Sequence, residues 1–372
     1  MKKYIIVVLI VLLSVLPTRA VMQTQKPIRL AVAGMSHGHI SFILNRADKK
    51  DFQVVGIWET DKELVKIRIE QYKLQPELIY SDLAKMLDAV QPDAVVAFGS
   101  IFDHLAVVEA CAPRGIHVMV EKPLAVNMEH ANKMSQLAKE HNIQLLTNFE
   151  TSWYPTTIWS LNKVNANEMN DSIGTVRKVV FHHGHGGPNS IGIDRKFFLD
   201  WLTDPVLNGG GAVVDFGCYG ANLMTALTKG KEPISVTAVL RQFKPDIYPK
   251  VDDEATIIVS YPQSQCIIQD SWNWPFSRKD MEIYGSNGYI KTVNDHDLNI
   301  RKKGMKSEEK LTINAKDVPV YTDPFSYFYD VITNKIIVEP YSLYSLENNV
   351  RVVEILDAAR KSAKEGKTVY WE

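Results

Sequence analysis

Cysteine is scarce: Cys111, Cys218 and Cys266 are the three in 372 residues. Their odd number and wide spacing supply no disulfide framework and no cysteine-based zinc site, so buried free thiols are the expectation. Basic stripes are missing too. The run from Lys302 to Lys310 mixes both signs and reads as a solvated hairpin. A balance of 42 basic against 43 acidic residues argues against a nucleic-acid surface. Internal repeats and low-complexity segments are absent. The apolar run Tyr4 to Leu16 falls short of the ~20 residues that span a bilayer. It follows Lys2 and Lys3 and precedes Thr18-Arg19-Ala20, the layout of a secretory signal peptide. No cysteine follows it and no Arg-Arg pair precedes it, which sets aside a lipid anchor and the twin-arginine route. Residues 1–20 are therefore expected to be removed on export, to the periplasm or beyond, leaving no membrane span. Loss of Lys2, Lys3 and Arg19 takes the basic count from 42 to 39 against 43 acids, a mature charge near −4.

What remains is long enough for two domains. After a polar linker over 21–26, strand and helix patterns alternate. Strands are expected at Ile28 to Ala33, Phe52 to Trp58, near Leu78, and at Asp93 to Phe98, Ile116 to Val120 and Ile143 to Thr147. Helices are expected at His39 to Ala47, Asp61 to Tyr72, from Ser81, and at His104 to Pro113 and Glu129 to His141. This alternation predicts an α/β domain over 27–148 with a parallel, doubly wound sheet. Beyond about residue 150 strands follow one another: Val176 to His183, Ile234 to Gln242, Ala255 to Tyr261, Cys266 to Trp272, Met281 to Tyr284 and Tyr289 to Thr292. The turn Ser286-Asn287-Gly288 suits a hairpin. A second, α+β domain over 149–372 with a mostly antiparallel open sheet is expected. Its helices fall at Tyr219 to Leu227, Phe325 to Thr333 and 345–364, the last packing back toward the first domain.

Gly34-Met35-Ser36-His37-Gly38-His39 joins the first strand to the first helix. A phosphate pair suits such a turn, because small residues admit close backbone approach and a helix N-terminus offers free N–H groups. The usual pattern has glycine where Ser36 and His39 stand, so a plain tight turn is the competing reading. Glu59 ends the second strand about twenty residues on. An acid there accepts from a ribose 2′-hydroxyl and repels a 2′-phosphate, favouring NAD over NADP. Its alternative is a solvated acid at a helix start.

Three stretches carry a wider likeness: DAVVAFGSIFDHLAVVEACAPRGIHVMVEKP from Asp93 to Pro123, NGGGAVVDFGCYGANL from Asn208 to Leu223, and the C-terminal AARKSAKEGKTVYWE. Together they resemble the Gfo/Idh/MocA family of nicotinamide-dependent oxidoreductases over nearly all of the chain after residue 20. The resemblance implies a Rossmann domain followed by an open mixed sheet carrying a carbohydrate pocket, with a homo-oligomer as a family-level expectation. It implies that Lys122 is the family's lysine, that Asp215 is its aspartate, and that the Lys122–Pro123 bond is cis. Many members carry histidine four residues after that aspartate. Tyr219 stands there instead, as in the branch typified by glucose-fructose oxidoreductase and dimeric dihydrodiol dehydrogenase. Tyr219 is then the acid/base, and an ammonium at Lys122 would lower its pKa.

Around this centre, Glu121, Ser100, His104 and Asn148 face the expected cofactor cleft. His185, Trp272 and Arg278 are candidates for the sugar pocket, with core packing the alternative for the tryptophan. The run His182-His183-Gly184-His185 suggests a metal, but neighbours on a strand point to opposite faces, and no metal site is expected. The expected activity is oxidation or reduction at a sugar or glycoside hydroxyl, with cofactor held tightly because free NAD is scarce outside the cytoplasm. Redox-neutral glycoside cleavage through transient oxidation, and a non-catalytic sugar-binding protein, are the alternatives.

Overall fold

The computed structural model describes residues 26–46, 50–165, 173–190 and 196–371. The expected signal peptide and most of the linker lie outside them, as does Ala47, the expected end of the first helix. The first domain runs β1 (Ile28–Ala33), α1 (Ile40–Leu44), β2 (Phe52–Trp58), α2 (Lys62–Tyr72), β3 (Ile79–Tyr80), α3 (Leu83–Val90), β4 (Ala94–Ala97), α4 (His104–Cys111), β5 (His117–Glu121), α5 (Met128–Glu140) and β6 (Leu145–Asn148). The four residues of β4 and the last four of β1 are all buried, because helices cover both faces of the sheet. Helix starts are set locally. The Asp61 carboxylate accepts from the amides of Glu63 and Leu64, and the Asn127 side chain accepts from that of His130.

All pairs of this sheet are parallel, in the order β3-β2-β1-β4-β5-β6. The order reverses between β1 and β4. A crevice opens there at the C-terminal strand ends, where such sheets bind ligands.

The second domain holds α6 (Pro155–Asn165), β7 (Val176–Gly184), α7 (Phe197–Leu202), α8 (Ala212–Asp215), α9 (Gly217–Leu227), β8 (Ser235–Arg241), β9 (Glu254–Ser260), β10 (Gln265–Ser271), β11 (Arg278–Gly285), β12 (Gly288–Thr292), β13 (Asp297–Lys302), β14 (Glu309–Thr312), α10 (Pro324–Ile332), α11 (Leu346–Glu365) and β15 (Val369–Tyr370). Its nine strands run β14-β13-β12-β11-β7-β10-β9-β8-β15, antiparallel except for the β7–β10 pair. Along β9 buried and half-buried residues alternate, so one face packs on helices and the other points outward.

Helix α11 lies against α9 and β8 of this domain and α5 of the first. Val353 joins the core of the parallel sheet, Asp357 accepts from the Met128 amide at 2.8 Å, and Arg360 donates to the Val126 carbonyl at 2.8 Å. All three cysteines are buried and free.

Candidate active site

The turn after β1 is pinned to the turn after β4. Gly34 has φ +85°, and a Cβ there would lie 2.6 Å from the Gly99 nitrogen, so a side chain has no room. The His37 amide donates to the Phe98 carbonyl at 2.9 Å. Ser36, at the second glycine position, gives its hydroxyl to the same carbonyl and accepts from Trp201 Nε1 at 3.0 Å. Helix α7 thereby lies across the turn. Glu59 braces it from β2: one carboxylate oxygen accepts from the Met35 amide at 2.8 Å, the other from those of Thr60 and Asp61. A cavity of about 360 Å³ runs along these strand ends, with Gly34, Ser36, Glu59, Gly99, Ser100 and Trp201 in its wall. Tight glycine geometry, a helix start and an acid at the end of β2 fit a dinucleotide. His104, by contrast, does not face the cavity. It is 1% exposed and its Nδ1 meets the Leu124 carbonyl at 3.1 Å, so it ties α4 to the chain beyond Pro123.

Behind the turn sits a polar cluster. Glu121 Oε1 accepts from Asn148 Nδ2 at 2.8 Å and lies 3.1 Å from His39 Nδ1. Burial opposes its charge, but the His39 and His37 imidazoles and the Asn148 amide outweigh burial and bring its carboxyl down to about 2. Burial, reinforced by His39, pulls His37 down to about 3, so it is neutral. The ligand-type atoms of His37, His39 and Glu121 lie within 4.8 Å of one another, a set the sequence reading did not weigh. His37 Nδ1 already accepts from the His39 amide at 3.1 Å, which occupies one lone pair a metal would need. Gly38, in the same turn, has open space around it.

Lys122 follows at the C-terminal end of β5, and its bond to Pro123 is cis. Its ammonium donates to the Asp215 carboxylate at 2.5 Å and to the Asp215 carbonyl at 2.9 Å. Trp272 Nε1 donates to the other carboxylate oxygen at 2.9 Å. Both charged side chains are under a tenth exposed. Burial alone would discharge each partner, yet each charge outweighs it for the other, so Lys122 is raised and Asp215 lowered. The glycine run before α8 seats that helix against the chain at Asp252: a Cβ on Gly211 would overlap the Asp252 carbonyl.

Tyr219, on α9, packs its ring against Phe149, Phe216 and His183, with Lys122 Nζ 5.3 Å from the ring centroid. The expected lowering of its pKa does not hold. Tyr219 is pushed well above the ordinary tyrosine value, first by burial and then by the Glu150 carboxylate. The Lys122 charge is taken up by Asp215.

A second cavity, of about 620 Å³, opens beside this centre with Glu150, Tyr154, His185, Arg278, Lys279 and Lys291 in its wall. His185 Nδ1 accepts from the Gly187 amide at 2.9 Å, and burial lowers its pKa. The neutral ring then carries its proton on Nε2, as a donor. Arg278 is gripped through two 2.7 Å bonds by Asp280. Trp272, expected either in the sugar pocket or in the core, is fully buried and gives its indole N–H to Asp215, which fits the core reading. His182 and His183 do part to opposite faces, the first meeting Asp280 at 3.1 Å and the second fully buried. Sequence reasoning missed Glu150, Tyr154, Lys279 and Trp201. Lys279 sits opposite His183 in the β11–β7 register, a pairing invisible before the strands are aligned.

A parallel, doubly wound sheet with a tight glycine turn after β1 and an acid at the end of β2 defines a Rossmann fold. Residues 28–149 match the model described as "Oxidoreductase family, NAD-binding Rossmann fold", and residues 168–291 match the "GFO/IDH/MocA C-terminal domain". The chain belongs to the Gfo/Idh/MocA family. It is 26% identical over 284 residues to the trans-1,2-dihydrobenzene-1,2-diol dehydrogenase of Xenopus tropicalis, covering 74% of this chain and 76% of that protein. It is 23% identical over 265 residues to the scyllo-inositol 2-dehydrogenase (NADP(+)) of Bacillus subtilis, covering 71% and 75%. Among solved structures, the aldose-aldose oxidoreductase of Caulobacter crescentus in complex with glycerol superposes with a TM-score of 0.75 at 22% identity, over 93% of this chain and all of that one. The inositol dehydrogenase homologue of Azotobacter vinelandii in complex with NAD+ gives 0.77 at 17% identity, over 93% and 98%.

Proposed function

We propose that the protein is a dehydrogenase that exchanges hydride between a bound nicotinamide dinucleotide and a hydroxyl or keto carbon of a sugar or glycoside. The observation that carries this reading is the buried Lys122–Asp215 pair, with Tyr219 beside it and a cavity on either side. The relatives named for diols, inositols and aldoses support a polyhydroxylated ligand.

The nicotinamide, when bound, supplies the hydride acceptor or donor. The chain supplies the rest. Lys122 is kept charged by Asp215 and donates a hydrogen bond to the reacting oxygen. Trp272 fixes the carboxylate that fixes the lysine. Tyr219, a neutral phenol at ordinary pH, gives its proton to a carbonyl oxygen in reduction, and in oxidation it takes the hydroxyl proton as the phenolate. His185 Nε2 donates to a ligand hydroxyl. NAD is favoured over NADP, because Glu59, Asp61 and Asp103 line the nucleotide cavity while, among the described residues, no lysine or arginine does.

Export of the mature chain from residue 21 completes the reading. The bond from Trp201 to Ser36, which lays α7 over the phosphate turn, supports a retained cofactor. The test is to purify the mature chain, release any dinucleotide by denaturation and identify it by mass. Polyols and glycosides are then screened by nicotinamide absorbance with product analysis. A dinucleotide of NAD mass and turnover on a polyol are expected. A chain that neither holds nor binds a dinucleotide would overturn the assignment.

A further inference from the structure

Tyr219 meets two ammonium groups. Lys122 reaches it from the end of β5. Lys279 reaches it from β11, with Nζ 5.2 Å from the ring centroid. The Lys279 ammonium is bound by the Glu150 carboxylate, in the turn that follows β6. Glu150 also accepts from the Tyr154 hydroxyl at 2.7 Å. Lys279 and Glu150 are about a quarter and a third exposed and both line the larger cavity, so the pair stands between solvent and the buried phenol.

The other charged or titratable groups around the ring are accounted for. Asp215, on α8, is spent on Lys122. Glu121, on β5, is bound by Asn148 and His39. Cys218 is the neighbour on α9 itself, and His183 on β7 is buried against the ring. Asp270, on β10, lies under the start of α9 beside Gly217. Of the carboxylates, Glu150 acts most strongly against ionisation of Tyr219. It is also the one whose counter-ion, Lys279, lies against the same ring.

Resting on Tyr219 as the acid/base, we propose that Lys279 is a positioning residue of the reaction centre: held by Glu150, its ammonium screens the Tyr219 phenol from that carboxylate and sets the pH at which the phenol loses its proton. The pair is a balanced couple. Removing the cation leaves Glu150 to hold the proton on Tyr219. Removing the anion leaves a free ammonium against the ring, which favours the phenolate.

The first measurement needs no substrate. Tyrosinate absorbance is titrated in the purified chain, with Tyr219→Phe as the baseline for this one residue. Glu150→Gln is expected to move Tyr219 ionisation down by about one pH unit or more. Lys279→Met/Glu150→Gln, with both charges gone, is expected to return it toward the parent value. An unchanged Tyr219 titration in a folded Glu150→Gln chain overturns the proposal. So does a double variant that titrates like Glu150→Gln alone, since a bare structural strap predicts no such cancellation.

The second measurement is turnover. Lys279→Met is expected to lower kcat for oxidation by about tenfold at neutral pH, equivalent to one unit of phenol ionisation. Glu150→Gln should shift the rising limb of the oxidation profile to lower pH, and Lys279→Arg should keep the parent profile. A Tyr219 titration that responds while Tyr219→Phe retains full turnover would leave the electrostatic couple standing and remove its role in the reaction, which overturns the proposal through its premise. A parent-like oxidation profile in Lys279→Met overturns it directly.

Discussion

The two cavities beside Lys122 are built from opposite materials. The one over the parallel sheet is made of turns: Gly34, Gly99, main-chain amides and acids, with no basic side chain in its wall among the described residues. The one at the mixed sheet is crowded with cations, each facing an acid: Arg278 with Asp280, Lys279 with Glu150, Lys291 with Glu308. The first suits a ligand that brings its own negative charge and is met by amides. The second offers many donors and acceptors with little net charge, which suits a neutral polyhydroxylated ligand better than a phosphorylated or acidic one. The reaction centre lies between them and belongs to neither wall, since Lys122, Asp215 and Tyr219 line neither cavity.

The sharpest way to break this division is to break the centre. Lys122→Met should abolish both directions of turnover, a loss of roughly a thousandfold or more. It should also cost stability, because Asp215 would be left charged and buried; removal of one partner of such a pair costs about 3–5 kcal/mol. Lys122→Met/Asp215→Asn should regain much of that stability and none of the activity. Urea unfolding alongside turnover separates the two. A double variant as unstable as the single one would mean that the pair is not the source of the loss.

The pH response tests which side of the centre holds the proton. Tyr219 has a raised pKa, so at neutral pH the phenol is almost wholly protonated. Reduction, which uses that proton, should be flat through neutrality and fall only in alkali. Oxidation needs the phenolate and should climb about tenfold per pH unit through the same range. Profiles of kcat in both directions check this, and parallel profiles would remove Tyr219 from the proton path.

The nucleotide side is probed through its turn. Gly34→Ala places a Cβ 2.6 Å from the Gly99 nitrogen at φ +85°, and should lose about 2 kcal/mol of stability or more together with dinucleotide binding. Gly38→Ala, with open space around its site in the protein, should retain stability. Thermal melts and dinucleotide titration distinguish them. At Glu59 the effect is smaller. Glu59→Gln should lower the preference for NAD over NADP by about tenfold, the scale of one charge-assisted hydrogen bond. An unchanged kcat/KM ratio would show that the acid only braces the turn through the Met35, Thr60 and Asp61 amides.

Much of this division was legible in the chain, for identifiable reasons. Buried parallel strands advertise themselves as apolar runs such as that of β4, so the first sheet emerged strand by strand. The glycine turn and Glu59 lie at fixed offsets from strand ends and emerged with it, whereas Lys122 and Asp215, the last residue of α8, emerged through the likeness of their sequence blocks to the family. Helices α7 and α8 did not, because they are short and their placement depends on tertiary partners: α7 leans on Ser36 and His37, and α8 on Asp252. Strands β13 and β14 hid in a polar stretch whose alternation is weak. The centre's electrostatics were the least legible. Tyr219 was expected to answer to Lys122 alone. Its burial, and the arrival of Glu150 and Lys279 from two other elements, are products of packing that no spacing rule records.

Trp272 carries the smallest of these effects and the cleanest test of what the larger cavity contributes. As a ligand-contacting aromatic it would change KM when altered. In the structure it is buried, packs at a tilt against the Tyr248 ring and gives its indole N–H to Asp215. Trp272→Phe keeps an aromatic ring but leaves a carboxylate oxygen short of a donor, which costs about 1–3 kcal/mol where the group is buried. Asp215 would then be held on one side only, and Lys122 with it. A few-fold fall in kcat with an unchanged KM is therefore expected, accompanied by lower stability in urea. Because Asp215 would rely more heavily on Lys122, Lys122→Met should be more damaging to stability in the Trp272→Phe background than in the parent, an excess that a double-mutant cycle measures directly. Additive losses would mean that the indole packs the core without steering the pair.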